Sequence, residues 1–361
     1  MTPVRDHPAF RRFYGNAMLL ALSVITIGIA LRQIDRFHFA RRRPHTADAS
    51  ELIALQRTRA NTLTPLLLLT GQWVQIAGWW MLSADGPLFA TIAAAAVAVH
   101  FRHLQEISHF AVHGVLARTS RANHILAEVF AHHPLALGPV PVRRRRHVRD
   151  HHPNATLASD PNLAELRQAG LRPGTTGLKY AATLIHPLTP RGIRTTVTGL
   201  VGGMHGPGTW HRTAALGIVA GTAYLAGGWS ALTYGVLIPR LLLYPQLAWM
   251  SLLVEHTWFD PDHRTGTAAW TEAGRCLRLY PRNRALALLA AATWLPYGDL
   301  HHYAHSAHPS VRWNYLPTLE AHLAPPHFTP DGLLIGTTTV ARRHHHALNQ
   351  PTKQITRPAA V

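Results

Sequence analysis

Cysteine is nearly absent from this 361-residue chain: Cys276 stands alone. That excludes an internal disulfide and any cysteine-built zinc or iron–sulfur site, and it fits a reducing, cytoplasmic face. Charge is scarce too, at 14% of residues against roughly a quarter in an average soluble protein. Lysine is almost missing, with only Lys179 and Lys353, so arginine carries the formal net charge of +18. Such a balance favours acidic partners. The aromatic interleaving and folded modules of nucleic-acid binders are missing, so no nucleic-acid partner is expected. The run from Arg143 to Arg146 reads instead as a contact for lipid head groups, with an acidic acyl carrier protein or coenzyme A phosphates as the alternative. No internal repeat and no low-complexity stretch is evident.

Long apolar runs are present, and they come in pairs. Residues 63–82 and 87–101 are joined by the short polar link 83–86, and residues 213–228 and 230–254 are joined by a Gly-Trp turn. Each pair reads as a helical hairpin that enters a bilayer and returns. Pro239, Arg240 and Pro245 interrupt the last arm, which therefore reads as broken and packed in protein. Residues 17–31 are apolar for 15 positions, short of the roughly 20 that a span needs. Arg5, Arg11 and Arg12 precede them with no cleavage site after, as in a retained membrane segment. Residues 33–61 read as a polar, arginine-rich cytoplasmic loop, 285–296 as a buried or interfacial helix, and the tail from 331 as solvated, His344 to His346 included. The expectation is an all-α integral membrane domain: four spans in two hairpins, five if 17–31 crosses, with a cytoplasmic helical cap. Its organisation is an N-terminal segment and basic loop (1–61), a membrane domain (62–330) and a polar tail (331–361). Two there-and-back excursions leave every internal histidine cluster on one face.

Those clusters are the chemistry. The chain has 27 histidines, and they bunch. His109 and His113 are four apart and share a helix face, with Glu106 three residues earlier on that face. His147 and His151 repeat the spacing, with His152 rotated about 100° from His151, a geometry suited to two ions sharing a cage. His302 and His305 are three apart and co-facial, with His301 and His308 able to extend the set. Histidine ligation with few carboxylates suits iron or zinc and not magnesium or calcium. A membrane zinc protease would need His-Glu-x-x-His, which is missing. A transporter wants ionisable groups inside its spans, whereas these histidines follow them.

Residues 63–320 resemble the membrane-bound fatty acid desaturase superfamily, relatives of the integral-membrane alkane hydroxylases. LQEISHFAVHG is similar to the first histidine box, RRRRHVRDHHPNATLASDPN to the second, LLVEHTWFDPDHRTG to the intermediate Glu-His element and HYAHSAHPSVRWNYL to the third. Two positions depart from the pattern: Ser306 stands where the third box carries a further histidine, and Gln105 where first-box variants do. The resemblance implies metal ligation by His109, His113, His147, His151, His152, His256, His301, His302 and His305, with Glu106 and His308 as further candidates. It implies two iron ions, dioxygen as co-substrate, a ferredoxin-type electron donor and a membrane lipid or acyl-thioester substrate. The implied activity is desaturation of an acyl chain. Hydroxylation is the alternative, favoured by the second-box spacing and the His-Pro-Ser of the third. A slot between the membrane helices, lined by Trp73, Trp79, Trp249 and Tyr244, is the expected source of specificity.

Overall fold

The computed structural model describes residues 8–40, 48–206, 208–279, 283–330, 332–334 and 339–350, with side chains from residue 16 onward. It is 73% helix, and no strand occurs among the described residues. The all-α expectation therefore holds at the level of fold class.

Four helices open the chain: α1 (Pro8–Ala40), α2 (Ala49–Arg59), α3 (Leu63–Leu82) and α4 (Pro87–Val112). The first is a correction. Residues 33–40 continue a 33-residue helix and 49–59 form a second one, so 33–61 is not a plain loop. Three helical stretches are long and apolar enough to cross a bilayer: Asn16–Ala40, Pro87–Val112 and Thr209–Val254. With its 20 residues α3 has the length, but it carries Gln72 and Gln75, which are turned inward at 0% and 3% exposure. It packs against α1 through glycine. A Cβ added at Gly28 would lie 2.7 Å from the Gly71 carbonyl oxygen, and the reverse distance is the same. Small residues at such a crossing let two backbones approach within van der Waals contact.

The long apolar stretch Thr209–Val254 is a hairpin. Gly227 (φ −154°, ψ 19°) and Gly228 (φ 62°, ψ −148°) break it, and Gly228 adopts a conformation that favours glycine. The two arms run side by side: His211 stacks on His133 with ring centroids 5.6 Å apart, while Arg240 donates to the carbonyl of Leu135 at 2.7 Å. The tips of both hairpins pack together, with Trp80 Nε1 bonded to the Gly235 carbonyl at 2.9 Å and Ser230 Oγ to the Ser83 carbonyl at 2.6 Å. From Pro87 to His109, α4 rises about 33 Å, close to the thickness of a bilayer core. The histidines at its end and at His256, just past the helix Tyr244–Val254, thus lie at the opposite pole from the tips. Leu19, Leu20, Ile27, Leu225 and Trp229 are exposed on the outer surface of these helices, as a lipid-facing shell requires.

Between 284 and 296 the chain forms only the nine-residue helix Arg284–Ala292, too short to cross. The C-terminal segment is a further correction. Val340–Asn349 is a docked helix, and His344 is 1% exposed with its Nε2 bonded to the Leu253 carbonyl at 2.8 Å. The tail from 351 lies outside the described residues.

Candidate metal centre

Eight histidines converge into two groups. His109, His113, His147, His152 and His305 each offer a ring nitrogen within 4.8 Å of all the others, and His151, His256 and His302 do the same beside them. The rings of the two groups adjoin: His151 sits 5.3 Å from His147 and 5.5 Å from His152 between centroids, and His302 sits 5.8 Å from His305.

The local winding decides who joins which group. His109 lies on the last turn of α4 and His113 caps it, so the four-residue spacing makes them neighbours as expected, with their Nε2 atoms 3.1 Å apart. The second cluster departs from the expectation. Residues Arg145–His151 wind as a π-helix, with the His152 amide bonded to the His147 carbonyl. An i→i+5 repeat aligns His147 with His152, whose Nε2 atoms are 3.1 Å apart, and turns His151 toward the other group. The third cluster also splits: His302 faces His256, with Nε2 atoms 3.3 Å apart, while His305 joins the five-histidine group.

Protonation follows from the partners. His109 Nδ1 lies 2.7 Å from Glu106 Oε1, so that nitrogen carries the proton and Nε2 presents a lone pair. That lone pair faces His147 Nε2 at 2.6 Å and His113 Nε2 at 3.1 Å. His151 Nδ1 is held by Asp160 at 3.0 Å and His256 Nδ1 by the Arg275 carbonyl at 3.2 Å, which points both Nε2 atoms inward. These are the outer hydrogen bonds that orient metal-binding imidazoles. Burial first, then the neighbouring histidines, pushes His113, His147, His152, His256 and His305 well below the usual histidine pKa, leaving them neutral. His302 is pulled down by burial, but Asp299 and Glu255 more than offset this and its pKa is raised.

The residues fit a metal. Both ring nitrogens of His305, together with His151 Nε2, are buried with no hydrogen-bond partner among the described residues; a cation taking the lone pair of His151 Nε2 and of one His305 nitrogen would relieve that cost. An ion about 2.0–2.1 Å from each imidazole nitrogen would hold neighbouring nitrogens about 3 Å apart, the spacing seen here. Nitrogen-only groups of this kind could hold borderline transition metals.

The remaining candidates lie elsewhere. His301 is paired with Glu320 at 3.0 Å, outside both groups. His308 is half-buried and also outside them. Glu106 acts on His109 from behind. Ser306 donates to Glu272 at 2.9 Å, so the five-histidine group is completed without it.

Sequence spacing assigned no role to Arg102, although an ionisable residue in an apolar helix is itself a pointer. Its guanidinium, 3% exposed, donates to Glu106 Oε2 at 2.9 Å, to Asp299 Oδ2 at 2.5 Å and to Ser251 at 3.0 Å. Glu106 holds His109, and Asp299 lies 3.6 Å from His302 Nδ1, so one buried cation ties the supports of both groups together. A cavity of about 770 Å³ reaches His109 and His147 from between the helices Pro190–Gly203 and Tyr244–Val254. Of the four aromatics expected in a slot, Tyr244 and Trp249 line it. Trp73 and Trp79 instead pack against the hydrophobic core of the helices. No model of a known protein family matches this chain, and no curated protein matches it in sequence.

Proposed function

We propose that the protein is a membrane-embedded, oxygen-dependent desaturase of acyl chains working at two iron ions, one in each histidine group. The observation that carries this reading is the pair of adjoining, nitrogen-rich groups, backed by Glu106, Asp160 and Asp299, with a ligand-sized cavity running up to His109 and His147. When bound, the iron ions would supply dioxygen activation and removal of hydrogen from an unactivated C–H bond. The overall change is CH2–CH2 plus dioxygen, two electrons and two protons to CH=CH plus two waters, with a ferredoxin-type donor as the source of electrons.

The chain's own residues do the rest. Glu106 and Asp160 hold the protons on the outer nitrogens of His109 and His151, keeping the inner lone pairs aimed at the ions. Leu137, Val142, Leu200 and Leu252 line the cavity. They would hold an alkyl chain against His109 and His147 and keep bulk water away. The run Arg143 to Arg146 leads directly into His147, and the positive-inside rule supports reading that pole as cytoplasmic.

The test is metal content, oxygen uptake and lipid analysis on one preparation. About two irons per chain, with oxygen uptake and new double bonds in cells expressing the protein, support the reading. New hydroxyl groups in place of double bonds would make it a hydroxylase, the outcome that the second-box spacing favours. One zinc with no oxygen uptake would overturn both.

A further inference from the structure

The large cavity carries a charge imbalance. Arg102 is matched by Glu106 and Arg146 by Glu165, at 2.9 and 2.6 Å. Arg143 and Arg240 also line the cavity, and among the described residues neither has a carboxylate partner. Arg143 donates to Ser108 Oγ at 3.1 Å, and Arg240 Nε donates to the Leu135 carbonyl while its guanidinium lies 5.3 Å from the Tyr244 ring centroid. Each therefore keeps guanidinium N–H groups without a partner among the described residues. The Tyr244 side chain lines the same cavity, and its hydroxyl has no hydrogen bond among the described residues. Arg191 adds further positive charge to the lining. Glu255, a further lining carboxylate, forms no ion pair with an arginine among the described residues, and Ser251 donates to it.

We propose that Arg143, Arg240 and Tyr244 form an anion subsite for the head group of the molecule that fills this cavity, which is therefore an amphiphile with a carboxylate or phosphate head and an apolar chain. Half-buried guanidinium groups without counter-charge are costly, and their planar fork matches the paired oxygens of those two groups. The apolar lining beyond them takes the chain. With the head fixed at the arginines, the stretch of chain lying against His109 and His147 is set by its distance from the head. The inference rests on the proposed function for its meaning as a substrate site but not for its test.

The experiment is equilibrium binding to the full chain in zwitterionic nanodiscs, without oxygen or reductant, using hexadecanoate, hexadecyl phosphate and hexadecanol as probes. The expected result is at least tenfold tighter binding of one or both anionic probes than of hexadecanol, and their ranking tells a free acid from a phosphate-headed lipid. Arg143→Gln with Arg240→Gln should abolish that preference, bringing the anionic probes down to the affinity of hexadecanol for the same variant. Arg240→Lys should keep part of the preference, which separates lost charge from lost structure. Equal binding of the three probes, or an intact preference in the double variant, overturns the subsite. Charge-selective binding by a protein that takes up no iron would sink the oxidative reading and leave the subsite standing. Iron and product formation without charge selectivity would do the reverse.

Discussion

Replacing Arg102 by methionine keeps most of the side-chain length and removes the one cation shared by the two histidine groups. Glu106 and Asp299, each 4% exposed, would then be buried without a counter-charge. Breaking a buried ion pair by deleting one partner costs about 3–5 kcal/mol, and an outer support of this kind is worth roughly 10–100-fold in metal affinity. Arg102→Met should therefore lower the melting temperature and weaken metal uptake at both groups, not one. Lysine, with charge but no fork, should restore part of both. Cobalt titration followed by absorption spectroscopy reads the two groups as separate uptake steps. Glu106→Gln should weaken only the five-histidine step, because Glu106 touches His109 alone among the clustered histidines. Asp299→Asn should weaken only the three-histidine step, because it faces His302. Two unshifted binding steps in Arg102→Met, or the loss of only one, would refute the idea that this guanidinium couples the sites.

The π-turn makes a sharp prediction: His152→Ala should impair the five-histidine group and His151→Ala the three-histidine group, each lowering metal stoichiometry by one ion, and the reverse pattern would contradict the turn. At the hairpin tip, a Cβ at Gly227 would sit 2.2 Å from the Trp80 carbonyl oxygen. Gly227→Ala should thus destabilise by roughly 1–3 kcal/mol, as should Gly228→Ala for a different reason, its backbone conformation, both measured as loss of thermal stability. His344 has its pKa lowered to about 4, by burial first, so the unfolded chain binds its proton before the folded one does. Stability is then lost as pH falls from about 6.5, the ordinary histidine value, to about 4. The loss amounts to roughly 3 kcal/mol, since each pH unit between those two values is worth about 1.36 kcal/mol. Hydrogen-exchange protection over the helix Val340–Asn349, taken relative to the intrinsic exchange rate at each pH, should fall across that window in the native protein and show no such step in His344→Gln.

Much of this molecule is legible in its residues alone. The paired apolar runs and the tight links at 83–86 and 227–229 carry hairpin geometry in their own local chemistry: a short polar or glycine turn between two apolar helices leaves few other options. The clustering of histidines into chelating spacings is equally local. The outer supports are harder to read. Arg102, Asp299 and Ser251 lie far apart in the chain, and only the packing of α4 against the segments around 251 and 299 joins them.

The sequence by itself determined that the chain is helical, that apolar hairpins would carry its histidines to one pole, and that those histidines could bind metal. Tertiary structure alone decided their partition. In the standard helical repeat His147 pairs with His151. Lengthening the hydrogen-bonded repeat by one residue over Arg145–His151 moves that partnership to His152, and nothing in the local pattern of residue types records the change. Whether His305 meets His109 or His302 is likewise set by how the third segment docks. Docking sums weak contacts over the whole fold and cannot be read from any one stretch of it.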